Sequence, residues 1–216
     1  MGVVDARLGD RSAGPAATRG FVTPPYEQPG ASIAFWTLLG LFALGEYVMR
    51  FRSRFNRSGT RAERWSLLVV VACVVGGMLA GIELANSKVG AIGFGRWPLF
   101  ILGLVLMAGG VFVRQWAIFT LGRFFTVDVR VHSDQTVVER GPYRWARHPS
   151  YSGLIIFFVG VGLALSNWLS LIVLAMVPAA GLLVRIRSEE RALLGALGED
   201  YRRYAATRRR LFPGIW

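Results

Sequence analysis

Apolar residues are gathered into long runs that short polar segments separate along most of this chain. The runs cover residues 31–49, 65–84, 97–121, 154–165 and 168–184. A helix needs about 20 apolar residues to cross the hydrocarbon core of a bilayer. The fourth run is short, but Pro149 is a favoured first helical residue and lengthens it toward the N-terminus. The pattern predicts an all-α integral membrane protein with five transmembrane helices.

The fourth and fifth runs are separated only by Ser166 and Asn167. So short a connection predicts a tight hairpin of antiparallel helices. The start of the fourth helix and the end of the fifth are therefore expected side by side.

Small residues within the runs are expected to allow close helix contacts. They are Gly76, Gly77 and Gly81 in the second run and Gly160-Val161-Gly162 in the fourth. The fourth-run glycines resemble the start of a nucleotide-binding motif, but no strand precedes them, so they indicate helix packing.

The segments outside the runs complete the predicted organisation. Residues 1–31 lack periodic apolar positions and predict a flexible tail without a signal peptide. In residues 188–206, apolar side chains recur at helical spacing and predict an amphipathic C-terminal helix. The predicted regions are a tail at 1–31, three transmembrane helices in 32–120, and a region at 121–216 that contains the helical hairpin.

The net charge of +12 comes almost wholly from arginine, with Lys88 as the single lysine. Arginines are dense in residues 50–64, in 122–148 and after Arg185, but sparse in 85–96. By the positive-inside rule the N-terminus is outside and the C-terminus is cytoplasmic. The arginine bias, with many Ala and Gly, also suggests a GC-rich source genome. The expected location is the inner membrane of a bacterial cell.

Charge and cysteine content also exclude some classes of function. The basic runs lack interleaved aromatic residues and flank predicted spans, so no nucleic-acid partner is expected, whereas membrane lipid is. Cys73 is the single cysteine, so neither a disulfide framework nor a thiolate metal cluster is possible. We predict no metal site.

Polar groups cluster at the predicted cytoplasmic ends of the last two spans. Because those spans form a hairpin, residues about 40 positions apart converge on one spot. This convergence is the strongest argument for a functional site that the residue pattern provides. The cluster consists of Tyr143, Arg147, His148, Ser150, Tyr151, Arg185, Glu189 and Glu190.

If Pro149 begins the fourth helix, His148 caps it, and the free amides of Ser150 and Tyr151 can receive an anionic group. A plain polar cap with interfacial tyrosines is the commoner arrangement for such residues taken alone. Arg185 and Glu189 share a helix face, either as a surface ion pair or as the lining of a polar cavity.

Two charged residues within the earlier spans leave similar alternatives open. Arg114 interrupts the third span; it either snorkels to the interface or closes the cavity from the third helix. Glu46 near the end of the first span has the same two alternatives.

At these residues the chain resembles the isoprenylcysteine carboxyl methyltransferases and their bacterial relatives, a membrane superfamily that also includes phospholipid N-methyltransferases. With a weaker match that runs through Arg114 and Ala117 to Leu121-Gly122, the resemblance covers about the last 105 residues. Its residues are Gly141-Pro142-Tyr143, Arg147-His148-Pro149-Ser150-Tyr151-Ser152-Gly153, Arg185 with Glu189-Glu190, Gly198-Glu199-Asp200-Tyr201 with Tyr204, and Phe212-Pro213-Gly214-Ile215.

The resemblance implies S-adenosyl-L-methionine as methyl donor, enclosed by the loop before the fourth span, the hairpin base and the C-terminal helix. Carried over by position, Glu189 is a catalytic and cofactor-binding residue, Arg185 is a catalytic and substrate-side residue, and Arg114 is a further substrate residue. The remaining cofactor contacts fall on Gln135, Thr136, Val137, Val138, Tyr143, His148, Pro149, Ser150 and Tyr151.

The implied acceptor is a small lipophilic molecule, either a carboxylate like that of isoprenylcysteine or a lipid amine. Two alternatives of other classes stay open. A sterol-type membrane reductase would bind NADPH in a related C-terminal architecture, and a non-catalytic membrane protein would use the polar cluster only to cap the hairpin.

Overall fold

A computed structural model describes residues 23–54, 61–87, 89–125 and 136–212. Within these ranges the chain is helical, with three short 3-10 turns at Pro25–Glu27, Gly122–Phe124 and Gly141–Arg144. The five α-helices are α1 (Ala31–Arg54), α2 (Arg61–Asn86), α3 (Arg96–Leu121), α4 (Pro149–Ala164) and α5 (Trp168–Thr207).

Four of these helices, α1, α2, α3 and α5, are long and apolar enough to cross a membrane. Their outward side chains are large and apolar: Leu41 is 54% exposed, Leu79 66% and Phe119 78%. Such exposure is expected where lipid replaces water. Helix α4 has 16 residues, about 24 Å, and begins at Pro149 as predicted. The predicted all-helical membrane architecture is confirmed.

Part of the predicted N-terminal tail is structured. Residues 1–22 lie outside the described part of the chain, but Pro25–Glu27 form a 3-10 turn. Tyr26 in this turn is 8% exposed, and its ring lies 6.1 Å from that of Phe35 on α1. The apolar ring of Tyr26 therefore anchors residues 25–27 on the first helix.

The predicted tight hairpin between α4 and α5 is confirmed. Asn167 caps α5, because its side-chain oxygen accepts a hydrogen bond from the Ser170 amide at 3.0 Å. Its amide group donates to the carbonyls of Leu84 and Val89, at 3.2 and 2.8 Å. One side chain thus starts α5 and ties the hairpin to the end of α2.

Helices α3 and α4 approach so closely that their backbones touch. A Cβ atom on Gly110 would lie 2.6 Å from the Gly153 carbonyl oxygen, and one on Gly160 would lie 2.7 Å from that of Gly103. The predicted packing role of Gly160 is confirmed. In α2, Gly77 and Gly81 face Val177 and Leu174 of α5, whereas Gly76 has open space and its predicted contact is wrong.

The last helix differs from its prediction. A span ending at Val184 and a separate helix at 188–206 were expected, but α5 continues without interruption to Gly198. Only there does the backbone leave helical geometry, with φ 53° and ψ −122°, which glycine adopts at little cost. Because residues 185–197 are mostly good helix formers, the helix carries straight on from the membrane. Arg185 and Glu189 therefore project from the same rigid helix.

Residues 208–212, which we term the C-terminal strap, run beside the loop before α4. The amides of Arg147 and His148 donate to the carbonyls of Arg209 and Arg210, at 2.8 and 2.9 Å. The Ser152 hydroxyl donates to the Leu211 carbonyl. The strap therefore fixes the start of α4 through the backbone. Residues 213–216 of the family-like ending lie outside the described residues.

Candidate active site

A cavity of about 590 Å³ joins the polar end of the hairpin to an apolar gap between α1 and α2. Helix α2 packs chiefly on α5 and α1 chiefly on α3, so the two helices flank the gap from opposite sides. Phe42, Ala43, Val70 and Val74 are among the apolar residues of the walls. The cavity therefore has a polar end for a water-soluble ligand and an apolar end toward the predicted bilayer.

The start of α4 supplies part of the polar end. Pro149 occupies its first turn and His148 its cap, as the sequence predicts. The Tyr151 amide, however, donates to the His148 carbonyl at 3.0 Å. The prediction that this amide is free for an anionic ligand is therefore wrong. His148, Ser150 and Tyr151 line the cavity, whereas Pro149 is buried and does not.

The predicted convergence of α4 and α5 is observed at Glu189. The Tyr151 hydroxyl donates a hydrogen bond of 2.8 Å to the Glu189 carboxylate. His148 Nδ1 lies 3.7 Å from the same carboxylate, and the His148 and Tyr151 rings stack with centroids 5.6 Å apart. Glu189 is thus held from the opposite arm of the hairpin and lines the cavity.

Glu190 connects three parts of the chain, a role that sequence analysis did not assign to it. Its carboxylate accepts hydrogen bonds from Arg147 at 2.6 Å and from Arg210 at 3.1 Å, and it lies 3.4 Å from His148 Nε2. Adjacent residues of a helix point about 100° apart, so Glu189 faces the cavity while Glu190 faces the loop and the strap. The adjacent Glu189 and Glu190 were the feature of the sequence that could have indicated this role. The contact of Glu190 with the strap could not be predicted from the sequence.

The two arginines assigned to the substrate both line the cavity. Arg185, 4% exposed, donates to the Ser66 hydroxyl of α2 at 2.8 Å. Arg114 pairs with Glu46 of α1 and donates to the Ser150 carbonyl at 3.2 Å. Of the two alternatives for Arg114 and Glu46, the structure therefore supports a place in the cavity wall.

The loop before α4 covers the polar end. Thr136, Val137 and Val138 line the cavity with Tyr143, while Gln135 lies outside the described residues. Burial raises the pKa of the Tyr143 phenol, and the negative charge of Glu189 raises it further. Tyr143 therefore stays neutral throughout the physiological pH range.

Two buried polar atoms beside the cavity have no hydrogen-bond partner among the described residues. They are the Tyr201 hydroxyl and Arg147 Nε. An unsatisfied buried donor costs about 1–3 kcal/mol, so such atoms are uncommon unless a ligand or water completes them. Tyr201 lines the cavity and has no role in the sequence prediction, although it belongs to the family-like segment.

Comparison with known proteins agrees with this arrangement. The sequence profile of the isoprenylcysteine carboxyl methyltransferase (ICMT) family matches residues 101–195. A probable protein-S-isoprenylcysteine O-methyltransferase of Oryza sativa subsp. indica is 36% identical over 111 residues, which are 50% of this chain and 58% of the rice protein. Residues 101–195 of this chain thus resemble the isoprenylcysteine carboxyl methyltransferase family.

The family resemblance predicted from the last 105 residues is thereby confirmed. A protein-S-isoprenylcysteine O-methyltransferase of Schizosaccharomyces pombe is 26% identical over 191 residues, 79% of this chain and 78% of that one. The chain spans little more than half the length of the rice relative.

A solved structure shares the fold over nearly the whole chain. It is the eukaryotic intramembrane Ras methyltransferase ICMT, at a TM-score of 0.68 and 22% identity. The match covers 90% of this chain and 70% of that protein. The family motifs found in the sequence lie after the first three helices or at the end of the third. The structural match covers those helices too, so they belong to the shared fold.

Proposed function

We propose that the chain is a membrane methyltransferase that takes its methyl group from S-adenosyl-L-methionine and esterifies the carboxylate of a lipophilic acceptor. One observation carries the proposal. A single cavity combines a buried polar end at His148, Tyr151 and Glu189 with an apolar gap between α1 and α2. Two ligands of opposite polarity could meet there.

The polar end suits the methyl donor, whose sulfonium provides an activated methyl group. Glu189 would hold a cationic or hydroxyl-bearing part of the donor, with Tyr143 and Thr136–Val138 covering it. Tyr201 and Arg147 would receive their missing hydrogen-bond partners from its polar groups. The two unpartnered atoms support a polar ligand at this end of the cavity, and the family resemblance identifies that ligand as the methyl donor.

The acceptor side of the cavity contains Arg114 and Arg185. Arginine binds carboxylates through charge-assisted, often bidentate hydrogen bonds. Because Glu46 already pairs with Arg114, Arg185 is the residue that favours a carboxylate over an amine. A carboxylate oxygen is already nucleophilic; its new bond to the methyl carbon forms as the sulfur–carbon bond breaks. The chain then needs no general base, and its contribution is orientation and exclusion of water.

The proposed topology has five crossings, with α4 as the short fourth. The N-terminus would be outside and the C-terminus in the cytoplasm of a bacterial cell. The polar end of the cavity would then open to the cytoplasm, from which the methyl donor would bind. Fusion of a reporter active only in the cytoplasm to each terminus tests this, since activity at the N-terminal fusion alone would reverse the orientation.

The activity is tested with protein in detergent and a donor labelled on its methyl group. We expect label in a farnesylated cysteine derivative with a free carboxylate, and none in its carboxamide. Transfer to a lipid amine instead would replace the proposed acceptor. Calorimetry with S-adenosylhomocysteine and NADPH is the companion measurement, and binding of NADPH alone would overturn the methyltransferase proposal.

A further inference from the structure

Three exposed arginines near the start of α4 have no acidic partner among the described residues. They are Arg140, Arg144 and Arg209. Nearby arginines are paired instead: Arg202 with Glu199, Arg203 with Asp200, and Arg208 with Glu139. Among the described residues, positive charge is therefore left without an acidic partner at this corner.

The three arginines belong to two adjacent segments. Arg140 immediately precedes the 3-10 turn Gly141–Arg144, which Arg144 ends. Arg209 is joined to Ala146 by a backbone bridge between the strap and the loop. The uncompensated charge thus forms one patch rather than scattered sites.

An exposed column of aromatic rings leads from this patch along α3. The Arg144 guanidinium lies 4.1 Å from the centroid of the Trp145 ring. Trp145 packs edge-to-face on Trp116 at 5.7 Å, and Trp116 contacts Phe112 at 6.0 Å. Phe112 is 66% exposed and lies inside the α3 membrane span, so the column continues to the depth of the acyl chains.

We propose that this corner binds a membrane phospholipid with an anionic headgroup. The headgroup phosphate would lie between Arg144 and Arg209, near Arg140, and an acyl chain would lie along Trp145, Trp116 and Phe112. Unpaired arginines favour anionic lipid, and tryptophans favour the interface where headgroup and chain meet. A soluble phosphate would match the arginines but would leave the aromatic column without a function.

The site also borders the cavity. Trp145 is two residues from Tyr143 and three from His148, which both line it. A bound headgroup would reduce the motion of the loop that carries these residues. The proposal itself does not depend on methyl transfer, because it rests on charge and exposure alone.

The test uses tryptophan quenching in lipid nanodiscs of phosphatidylcholine. Equal fractions of brominated phosphatidylglycerol or brominated phosphatidylcholine are added, and quenching is compared. We expect stronger quenching by the anionic lipid in the wild type. In the doubly substituted R144Q/R209Q variant, the preference for the anionic lipid over phosphatidylcholine should fall about tenfold or more. The W116F/W145F variant should lose the extra quenching by the anionic lipid, because it lacks the two tryptophans that report it.

Two arms make the result decisive. The R202Q/R203Q variant removes the same charge from a paired surface and should keep the preference; an equal loss there would overturn the site in favour of general surface charge. Millimolar glycerol phosphate should leave the quenching unchanged, and competition by it would overturn the assignment to lipid. Equal quenching by both brominated lipids in the wild type would also overturn it.

Discussion

At the scale of single residues, Glu189 and Glu190 are adjacent but act in different surroundings. Glu189 accepts from Tyr151 and lines the cavity. Glu190 accepts from Arg147 and Arg210 and is 8% exposed. A buried carboxylate that pairs with two arginines stabilises the connection between segments, because removing it leaves buried positive charge without compensation.

Substitutions of the two glutamates should therefore affect different properties, cofactor binding for Glu189 and stability for Glu190. Glu189→Gln should weaken binding of S-adenosylhomocysteine at least about tenfold, roughly 1.4 kcal/mol, with little change in thermal unfolding. Glu190→Ala should lower stability by about 3 kcal/mol. Calorimetry and thermal unfolding in detergent measure both quantities for each variant. If the two variants changed the same quantity equally, the division of roles would be wrong.

Two tyrosines of the C-terminal part allow a similar test of the cofactor contacts. The Tyr204 hydroxyl donates to the Tyr143 carbonyl at 2.7 Å, whereas the Tyr201 hydroxyl has no partner among the described residues. Tyr201→Phe should keep or slightly raise stability and weaken cofactor binding several-fold, since only the ligand would satisfy the hydroxyl. Tyr204→Phe should lower stability by about 1 kcal/mol. Unchanged cofactor affinity in Tyr201→Phe would remove that residue from the site.

At the scale of elements, the contact between α3 and α4 places the cavity arginine. Gly110 and Gly153 let the two backbones touch, and Arg114, one turn beyond Gly110, reaches the Ser150 carbonyl. Any side chain at Gly110 would push the helices apart because its contacts are backbone atoms. The position of Arg114 thus depends on two glycines that do not line the cavity.

Adjacent glycines of α3 provide a matched comparison. Gly110→Ala would place a Cβ 2.6 Å from backbone and should lower the unfolding midpoint and the methyl-transfer rate together. A Cβ added at Gly109 would meet no atom within 4 Å. Gly109→Ala should therefore raise stability by up to about 1 kcal/mol, because alanine is the better helix former. Thermal unfolding of both variants checks this, and a Gly110→Ala protein as stable as the wild type would contradict the close contact.

The sequence predicted the elements better than their ends. Apolar runs and the two-residue connection at Ser166–Asn167 predicted the helices and the hairpin, because both depend on local composition. The break at Gly198 was not predictable, since many other glycines in this chain lie inside helices. The partners of Glu190 were also out of reach, because Arg147 and Arg210 meet it only after the strap has folded back.

At the scale of the whole molecule, the two ends of the cavity belong to different parts of the fold. The polar end is built from the loop before α4, the hairpin and the strap. The apolar end lies between α1 and α2, whose main packing partners are different helices. If the acceptor enters from the bilayer through this gap, its binding can be changed without affecting that of the donor.

Ala43 of α1 offers that separation, because it lines the apolar end and its side chain is small. Ala43→Trp should fill the gap, raise KM for the lipophilic acceptor about tenfold or more, and leave the Kd of S-adenosylhomocysteine unchanged. Ala34→Trp is the control, since Ala34 is exposed on the same helix and does not line the cavity. The increase in KM should be larger for an acceptor with a long prenyl chain than for one with a short chain, because more of the long chain must pass the new tryptophan. An unchanged KM would place acceptor entry elsewhere, and a weakened Kd for S-adenosylhomocysteine would mean that the two ends are not independent.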